Sequence, residues 1–400
     1  MVGDLASGIL IIIITAFLAH TIVNRLRRKY TLVDTRFLKQ LFYYHVLLSI
    51  VYYLYVLFNP SDSKAYYNSV VQSVDWFSLY GTSTTFIRFL AYPFVQYLSL
   101  SYEGAMALFA FFGYLGFVFL YIVFKELIRF PHKFMNADLI KVIFLLPNLH
   151  FWSGSLGKGS VIFLGIGLYF FGILNLGRRW LYVVIGALII YHVRPHIMLI
   201  ILLSSVLGFV FTTRNVNMAT RLLFLAAAGA AFFFIYRDVL TLVGIDEEEF
   251  LTQGLDLTHR ASELGKATSG VDITSYSLPL QLFTFLFRPL FVDAPGALGL
   301  VVSVENVFYL LLTLKLFNWR GVNFLIRGNF MVKSAFLSFL TVSIALAQIS
   351  GNLGLAIRQK SQVMILFMLV IMLFLDEQKL LAWRRQERFK KSQQPKTEEA

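Results

Sequence analysis

Five basic side chains stand in otherwise apolar stretches of the sequence and could bind an anion: Arg88, Lys158, Arg194, Arg288 and Arg358. Few carboxylates accompany them. Arginine can hold a phosphate through two parallel hydrogen bonds, and lysine binds it as a point charge. Glycines flank Lys158 and Arg358, and they would let backbone N–H groups approach the same anion. This pattern predicts a phosphate-containing ligand, and a diphosphate carried by a lipid at the outer leaflet fits it.

Aromatic side chains near these cations are of the type that stacks on sugar rings. Tyr66 and Trp152 are the main candidates for such a glycan contact. Both also have a simpler interpretation, because Tyr and Trp are enriched where helices meet the membrane surface. Glu305 is a further candidate for the glycan, or else the ion-pair partner of Arg288 or Arg194.

The composition of the chain is that of a membrane protein. Of its 400 residues, 58% are hydrophobic and 14% are charged, whereas a soluble domain has roughly 25% charged residues. The mean hydropathy is +0.71. The formal net charge of +13 is then expected in cytoplasmic loops, where basic residues set the orientation. Nucleic acid is therefore not an expected partner.

Two absences in the sequence limit the chemistry. There is no cysteine, which excludes disulfides, thiolate metal sites and cysteine nucleophiles. There is also no glycine-rich dinucleotide motif and no P-loop. We therefore expect no cofactor and no metal ion.

Apolar stretches predict an all-α fold, a polytopic helical membrane protein, because a spanning helix needs about 20 apolar residues. About eleven spans are expected, at residues 5–24, 41–58, 104–124, 139–152, 161–176, 181–193, 197–211, 222–243, 297–317, 331–349 and 363–375. Two further stretches, 86–100 and 278–292, are interrupted by arginine and proline and are expected to be re-entrant or interfacial helices. The first span lacks the cleavage site of a secretory signal, so we expect it to be retained.

The basic loops predict the orientation of these spans. Placing residues 25–39 in the cytoplasm puts the amino terminus outside and the carboxyl terminus inside, and every strongly basic loop then falls on the cytoplasmic side. Residues 1–378 are expected to form a single integral membrane domain with outer loops at 59–85 and 244–277. Residues 379–400 form a basic cytoplasmic tail that is expected to be disordered.

Four segments of the chain carry a resemblance to known membrane enzymes. An acidic residue in the first outer loop, Asp62, resembles the arrangement in GT-C membrane glycosyltransferases. The segments LPNLHFWS (146–153) followed by Gly157 and Lys158, VRPH (193–196) and NLGLAIRQK (352–360) are similar to the EpsG and Wzy-like exopolysaccharide and O-antigen polymerases. The similarity holds in their order and in their side of the membrane, and it spreads over most of the chain.

The resemblance implies a reaction that needs neither metal nor nucleotide. A glycan on one undecaprenyl diphosphate would be transferred to a second lipid-linked repeat. The candidate cations, above all Arg194 and Arg358, would stabilise the charge on the departing diphosphate. Asp62 or His196 would deprotonate the acceptor hydroxyl.

Two other functions stay open on the sequence. A GT-C transferase would add one sugar from a polyprenyl-phosphate donor and would depend on Asp62 or Asp75. A lipid-linked glycan flippase or transporter would need polar residues at both faces and at mid-depth. The expected partners are a polyprenyl-diphosphate-linked glycan, the lipid bilayer and, as a further candidate, a chain-length regulator or another polysaccharide-assembly protein. The expected location is a bacterial inner membrane.

Overall fold

The computed structural model describes residues 2–212, 217–219, 221–223, 225–226, 229–230, 273, 275–294 and 296–393. Within these ranges the chain is helical apart from short helical turns, loops and one small hairpin, in which Lys133–Phe134 (β1) pairs antiparallel with Ala137–Asp138 (β2). The first ten helices are α1 (Val2–Lys29), α2 (Thr35–Phe58), α3 (Asp62–Gln72), α4 (Thr84–Tyr92), α5 (Tyr102–Leu127), α6 (Leu139–Phe144), α7 (Pro147–Ser153), α8 (Lys158–Ile173), α9 (Leu176–Val193) and α10 (Pro195–Thr212). The later helices are α11 (Leu278–Phe287), α12 (Gly296–Leu316), α13 (Trp319–Arg327), α14 (Phe330–Ile349) and α15 (Leu353–Gln393).

Seven of these helices are long and apolar enough to cross a membrane. They are α1, α2, α5, α9, α10, α12 and α14. The chain is therefore a multi-pass helical membrane protein, which confirms the predicted fold class. The predicted span at 222–243 and the outer loop at 244–277 lie largely outside the described residues.

Prolines interrupt three of the predicted apolar stretches. Residues 86–100 form α4 and then a π-helical turn, Pro93–Tyr97, since proline has no N–H to continue the helical ladder. Residues 139–152 form two short helices, α6 and α7, because the residue before Pro147 is extended. Residues 278–292 form α11 and a 3₁₀ turn, with a cis bond before Pro289. The single span expected at 139–152 is thus replaced by a broken pair of helices.

The predicted disordered tail is helical as far as the structure describes it. α15 continues through the predicted span at 363–375 and on to Gln393, which corrects the expectation of disorder from residue 379. The physical reason is that no glycine or proline stands between Leu355 and Gln393, so nothing breaks the helix that the apolar span begins. Residues 394–400 lie outside the described ranges.

Close backbone contacts through glycine fix α8 between α5 and α9. A Cβ on Gly167 of α8 would stand 2.7 Å from the carbonyl oxygen of Gly116 in α5. A Cβ on Gly186 of α9 would stand 2.6 Å from the backbone nitrogen of Tyr169 in α8. Small residues allow helices to associate in this way in membranes. Because α8 and α9 are consecutive and antiparallel, Lys158 at the start of α8 lies beside the end of α9.

Near the middle of α15 a buried carboxylate anchors the loop after α5. Asp376 is 1% exposed. It accepts hydrogen bonds from the backbone N–H groups of Arg129 and Phe130 and from Arg129 Nε, at 2.9, 2.8 and 2.9 Å. Higher in the same helix, Phe367 stacks on Phe339 of α14 with ring centroids 4.1 Å apart. The apolar section of α15 is thus held in the interior, with Arg358 at its opposite end.

Candidate anion-binding site

Four of the five predicted cations meet where several helices end, at the starts of α4, α8, α10 and α15. Lys158 lies within electrostatic range of Arg88, Arg194 and Arg358. Its ammonium group donates a hydrogen bond to Ser83 Oγ at 2.8 Å. These four cations are called the cation cluster below.

One carboxylate faces the cation cluster among the described residues. Asp62 Oδ2 lies 2.7 Å from Arg358 Nη1, and Asp62 also acts electrostatically on Lys158. The Asp62 side chain is 56% exposed, while that of Arg358 is 23% exposed. The cluster therefore keeps a surplus of positive charge, and its single counter-charge lies on the solvent side.

Arg194 is the most unusual member of the cluster. It is 8% exposed and occupies the junction between α9 and α10. Within the described ranges its guanidinium makes no ion pair and donates no hydrogen bond, and its charged neighbour is another cation, Arg358. The Nε of Arg88 is likewise buried without an acceptor. Buried charge without a partner is costly, and these donors leave room for hydrogen bonds to an acceptor from outside the chain.

The loop before α4 connects the end of α9 to Lys158 through contacts of Ser83. The backbone N–H of Ser83 donates to the carbonyl of His192 near the end of α9, at 2.6 Å. Ser83 itself has φ +62°, a positive φ that non-glycine residues rarely adopt; such backbone costs about 1–3 kcal/mol and is concentrated at functional sites. This geometry points the Ser83 hydroxyl at Lys158. Ser83 was not a sequence candidate, because a serine in a polar loop carries no signal of its own.

A network of hydroxyl groups positions Asp62. Ser61 Oγ caps the start of α3 and contacts the hydroxyl of Tyr52, at 2.9 Å. Ser63 Oγ lies 2.7 Å from the hydroxyl of Tyr102 on α5. α3 is thereby fixed to α2 and α5, and its first residue, Asp62, is directed toward Arg358.

The two predicted glycan-stacking residues lie against the cations instead of open solvent. Trp152 faces Arg358, whose guanidinium carbon is 5.7 Å from the ring centroid, a cation–π distance. Tyr66 is 4% exposed and interacts with the side chains of Arg358 and Thr84. Burial, with a smaller contribution from Asp62, raises the pKa of Tyr66, so its hydroxyl stays neutral and can donate. Both residues support the cation cluster from the side.

An apolar groove of about 970 Å³ ends at Arg358. Its walls come from α2, α7, α12 and the start of α15, and they include Val51, Tyr55, Phe151, Trp152, Leu298, Val301, Leu355 and Ile357. Val51 and Tyr55 on α2 and Leu298 and Val301 on α12 are partly exposed. Since α2 and α12 are both candidate spans, the groove opens between surfaces suited to lipid.

Arg288 and Glu305 belong to a second, buried network. Arg288 pairs with Asp293 through Nε and Oδ2, and among the described residues it makes no contact with the cation cluster. Glu305 is 3% exposed, and its Oε1 accepts the N–H of Asn148 at 2.6 Å. The predicted roles in diphosphate and glycan binding are therefore not supported by their surroundings.

Lys360 completes that network and was not a sequence candidate. It is fully buried, and its Nζ donates to Asn306 Oδ1 at 2.7 Å and to the carbonyl of Arg288 at 2.9 Å. Glu305 acts on Lys360 electrostatically. The one sequence signal for Lys360 was its place two residues after Arg358, in the turn between the predicted spans at 331–349 and 363–375. The network ties α7, α11, α12 and α15 together behind the groove.

His196 and His150 have different surroundings. His196 is half-buried in the first turn of α10, two residues after Arg194. His150 lies in the interior, where its Nε2 contacts the carbonyl of Phe144 and its Nδ1 lies 2.8 Å from Nδ1 of His45. His196 therefore lies near the cluster in sequence, and His192 lies near it through its carbonyl, which accepts the N–H of Ser83. No group of three or more His, Asp or Glu side chains in the described ranges converges as a metal site.

Comparison with known proteins adds no relative. No family model, no curated protein and no solved structure matches the chain. The class of the protein, a multi-pass helical membrane protein with a buried cation cluster, therefore rests on its own sequence and geometry.

Proposed function

We propose that the chain is a membrane glycosyltransferase that binds a polyprenyl-diphosphate-linked oligosaccharide and polymerises such repeats for an exopolysaccharide or O-antigen. The observation that carries the proposal is Arg194, a buried guanidinium without a partner in the described ranges, beside Arg88, Lys158 and Arg358. Four cations with one exposed carboxylate suit a ligand with more than one negative charge. A diphosphate has that charge, and it can accept several hydrogen bonds from arginine at once.

The groove supports a lipid as the carrier of this diphosphate. It is lined mainly by apolar side chains, it ends at Arg358, and the helices that flank its opening are candidate spans. An amphiphile with a charged head and a long hydrocarbon chain would satisfy both parts at once. A free nucleotide sugar would leave the groove without an occupant.

The proposed reaction moves one glycosyl group. The acceptor hydroxyl oxygen bonds to the anomeric carbon of the donor sugar, and the bond from that carbon to the diphosphate oxygen breaks. The bonding electrons leave with the diphosphate, whose growing charge the cation cluster stabilises. The hydroxyl proton passes to the Asp62 carboxylate or the His196 imidazole.

The proposed topology places this site at the outer face of a bacterial inner membrane. Eleven crossings and two re-entrant helices, with the amino terminus outside, leave the strongly basic loops in the cytoplasm. The chain has no cysteine, so a single cysteine introduced at an exposed position is a clean probe. We expect Ser78→Cys to react with an impermeant thiol reagent in intact cells and Arg384→Cys to react only after the membrane is opened.

The test of function is a gel of lipid-linked and surface glycans from cells with and without the chain. Collapse of a polymer ladder to a single repeat is the expected result. A ladder that persists with one sugar missing from every repeat would instead identify a single-sugar transferase. Unchanged repeats that accumulate on the cytoplasmic side would identify a flippase, and no change in any glycan would overturn the proposal.

Variants connect that result to the site. Arg194→Lys keeps the charge but loses the two-pronged geometry, and Arg194→Gln loses both. We expect the ladder to shorten with the first variant and to disappear with the second. The matched control is Arg384→Gln, since Arg384 is an exposed arginine in the tail section of α15. Loss of the ladder in the control would show that the effect is not specific to the cluster.

A further inference from the structure

A second pocket, of about 620 Å³, lies between α13 and α15. It is lined by Asn318, Trp319, Arg320, Phe374 and Gln378 and is called the α13 pocket below. α13 is a short helix that sequence analysis did not predict. The side chain of Asn318 caps it by accepting the N–H of Gly321 at 3.0 Å.

The lengths of two helices place this pocket at the opposite membrane surface from the cation cluster. α12 begins at the groove and is 21 residues long, which corresponds to about 30 Å at 1.5 Å per residue. α15 gives a second, independent estimate. It carries Arg358 near its start and Phe374 sixteen residues later, which corresponds to about 24 Å along the helix. The hydrocarbon core of a bilayer is about 30 Å thick. The α13 pocket therefore lies at the level of the other layer of headgroups.

The surroundings of this pocket carry uncompensated positive charge. The segment 315–333 contains Lys315, Arg320, Arg327 and Lys333 and no acidic residue. Lys333 donates to the carbonyl of Phe211 at 3.0 Å, and the other three make no ion pair within the described ranges. The carboxylates on the neighbouring turn of α15, Asp376 and Glu377, face Arg129. Arg320 therefore enters the pocket without a counter-charge.

The exposed side of α13 is apolar next to these cations. Trp319 is 82% exposed, and Val322 and Ile326 are also exposed. The inner side is anchored, because Phe324 packs edge-on against Phe374 with centroids 5.5 Å apart. A helix with aromatic and aliphatic residues on one side and arginines beside them lies in the plane of the membrane surface.

We propose that the α13 pocket binds the headgroup of an anionic phospholipid. Arg320 holds the phosphate, Gln378 supplies a polar contact from α15, and the acyl chains run along Trp319 and Val322. Anionic lipid attracts each basic residue near the surface by about 1 kcal/mol. The ligand differs from that of the cation cluster in being a resident membrane lipid, bound at the other surface. This site is independent of the proposed glycosyl transfer.

Native mass spectrometry of the full chain in detergent tests the proposal. The probes are phosphatidylglycerol and phosphatidylcholine with identical acyl chains. The Arg194→Gln variant serves as the background for every measurement, so that binding at the cation cluster is weakened and is the same throughout. We expect one phosphatidylglycerol to remain bound with at least fivefold higher occupancy than phosphatidylcholine. Arg320→Gln should lower that occupancy about fivefold, since 1 kcal/mol corresponds to that factor. Arg320→Lys should retain most of it.

Two controls make the result decisive. Arg384→Gln removes an exposed arginine on α15 outside the α13 pocket and should leave phosphatidylglycerol bound. Trp319→Ala should release it, because only a lipid uses the apolar side of the helix. Equal binding of the two lipids, retention after Arg320→Gln, or displacement by millimolar inorganic phosphate would each overturn the proposal. Arg320 and Trp319 are exposed, so these substitutions leave the interior packing intact.

Discussion

The carboxylate of Asp62 and the guanidinium of Arg358 are 2.7 Å apart, although 296 residues separate them in the chain. The pair joins the first loop helix to the last helix of the described chain. Because Asp62 is the more exposed partner, an incoming anion can take its place on Arg358 with little rearrangement. In the proposed function this ion pair is the resting state, and the Asp62 carboxylate occupies a position that the diphosphate would take on binding.

Asp62→Asn should change anion binding and glycan transfer in opposite directions. Without the carboxylate, Arg358 is free for the ligand, and an exposed ion pair of this kind is worth about 0.2–1 kcal/mol. We expect inorganic pyrophosphate to bind up to about fivefold more tightly, as measured by isothermal titration of the protein in detergent. Glycan transfer should fall by roughly 100-fold or more if Asp62 is the base.

Asp75→Asn is the matched control for that experiment. Asp75 lies in the same outer loop, but its Oδ2 accepts the N–H of Ser78 at 2.8 Å within a local turn. Its replacement should leave pyrophosphate affinity unchanged. Weaker binding in Asp62→Asn would contradict the exchange of carboxylate for anion. Tighter binding with full transfer activity would keep the exchange and leave His196 as the base.

Arg194→Met should stabilise the unliganded protein while abolishing its response to an anion. Methionine fills a similar volume without the unpaired buried charge, and removing such a charge is worth roughly 1–3 kcal/mol. We expect a higher unfolding temperature in detergent and no further increase on adding pyrophosphate. The wild-type protein should show such an increase, since ligand binding stabilises the folded state.

Methionine at position 129 should instead lower the stability of the unliganded protein. Arg129 pairs with Asp376, which is buried near the middle of α15. Arg129→Met removes the guanidinium from that buried carboxylate but keeps its two backbone N–H donors, so a cost of about 1–3 kcal/mol is expected. An equal loss of stability in Arg194→Met and Arg129→Met would mean that Arg194 has a partner inside the protein. The proposal that it binds an external anion would then be wrong.

The gathering of the cation cluster could be predicted from sequence because it depends on helix ends alone. Once the basic loops set one side of the membrane, Arg88, Lys158, Arg194 and Arg358 all fall at the opposite ends of apolar segments. Helix ends on one side of a bundle lie in a common layer, so their convergence follows from topology. Asp62 was found by the same reasoning.

Local pairing could not be predicted in the same way. Arg288 was expected in the cluster, yet Asp293, five residues later, takes its guanidinium, and that contact depends on the turn at Pro289. Lys360 appeared to lie in a polar loop, whereas α15 begins at Leu353 and carries Lys360 into the interior. The orientation of a side chain after a turn is set by tertiary packing, and residue type alone does not predict it.

Replacing Lys360 and Glu305 should reveal coupling between them. Lys360→Met removes the donor to Asn306 and to the Arg288 carbonyl and leaves Glu305 without its nearby cation, so a cost of about 3 kcal/mol is expected. Glu305→Gln should cost less, because the amide oxygen can still accept from Asn148. The double variant should lose less stability than the sum of the two, by about 0.5–3 kcal/mol. Denaturant unfolding in detergent measures all three, and strict additivity would show that the two charges do not interact.

Gly167→Ala should weaken the contact that places Lys158. The new Cβ would stand 2.7 Å from the carbonyl oxygen of Gly116, so α8 must move away from α5. Overpacking of this kind costs about 1–3 kcal/mol, and the shift should also reduce pyrophosphate affinity by displacing the start of α8. Both effects can be measured on the same purified variant, by thermal unfolding and by titration.

Gly177→Ala provides a control that should not lower the stability of the protein. Gly177 is in the first turn of α9, and a Cβ there would meet nothing within 4 Å. Alanine favours a helix over glycine by about 0.8–1 kcal/mol, so this variant should be as stable as the wild type or slightly more stable. A neutral Gly167→Ala would mean that α5 and α8 can separate freely. In that case the position of Lys158 would have to depend on its hydrogen bond to Ser83 instead of the glycine contact.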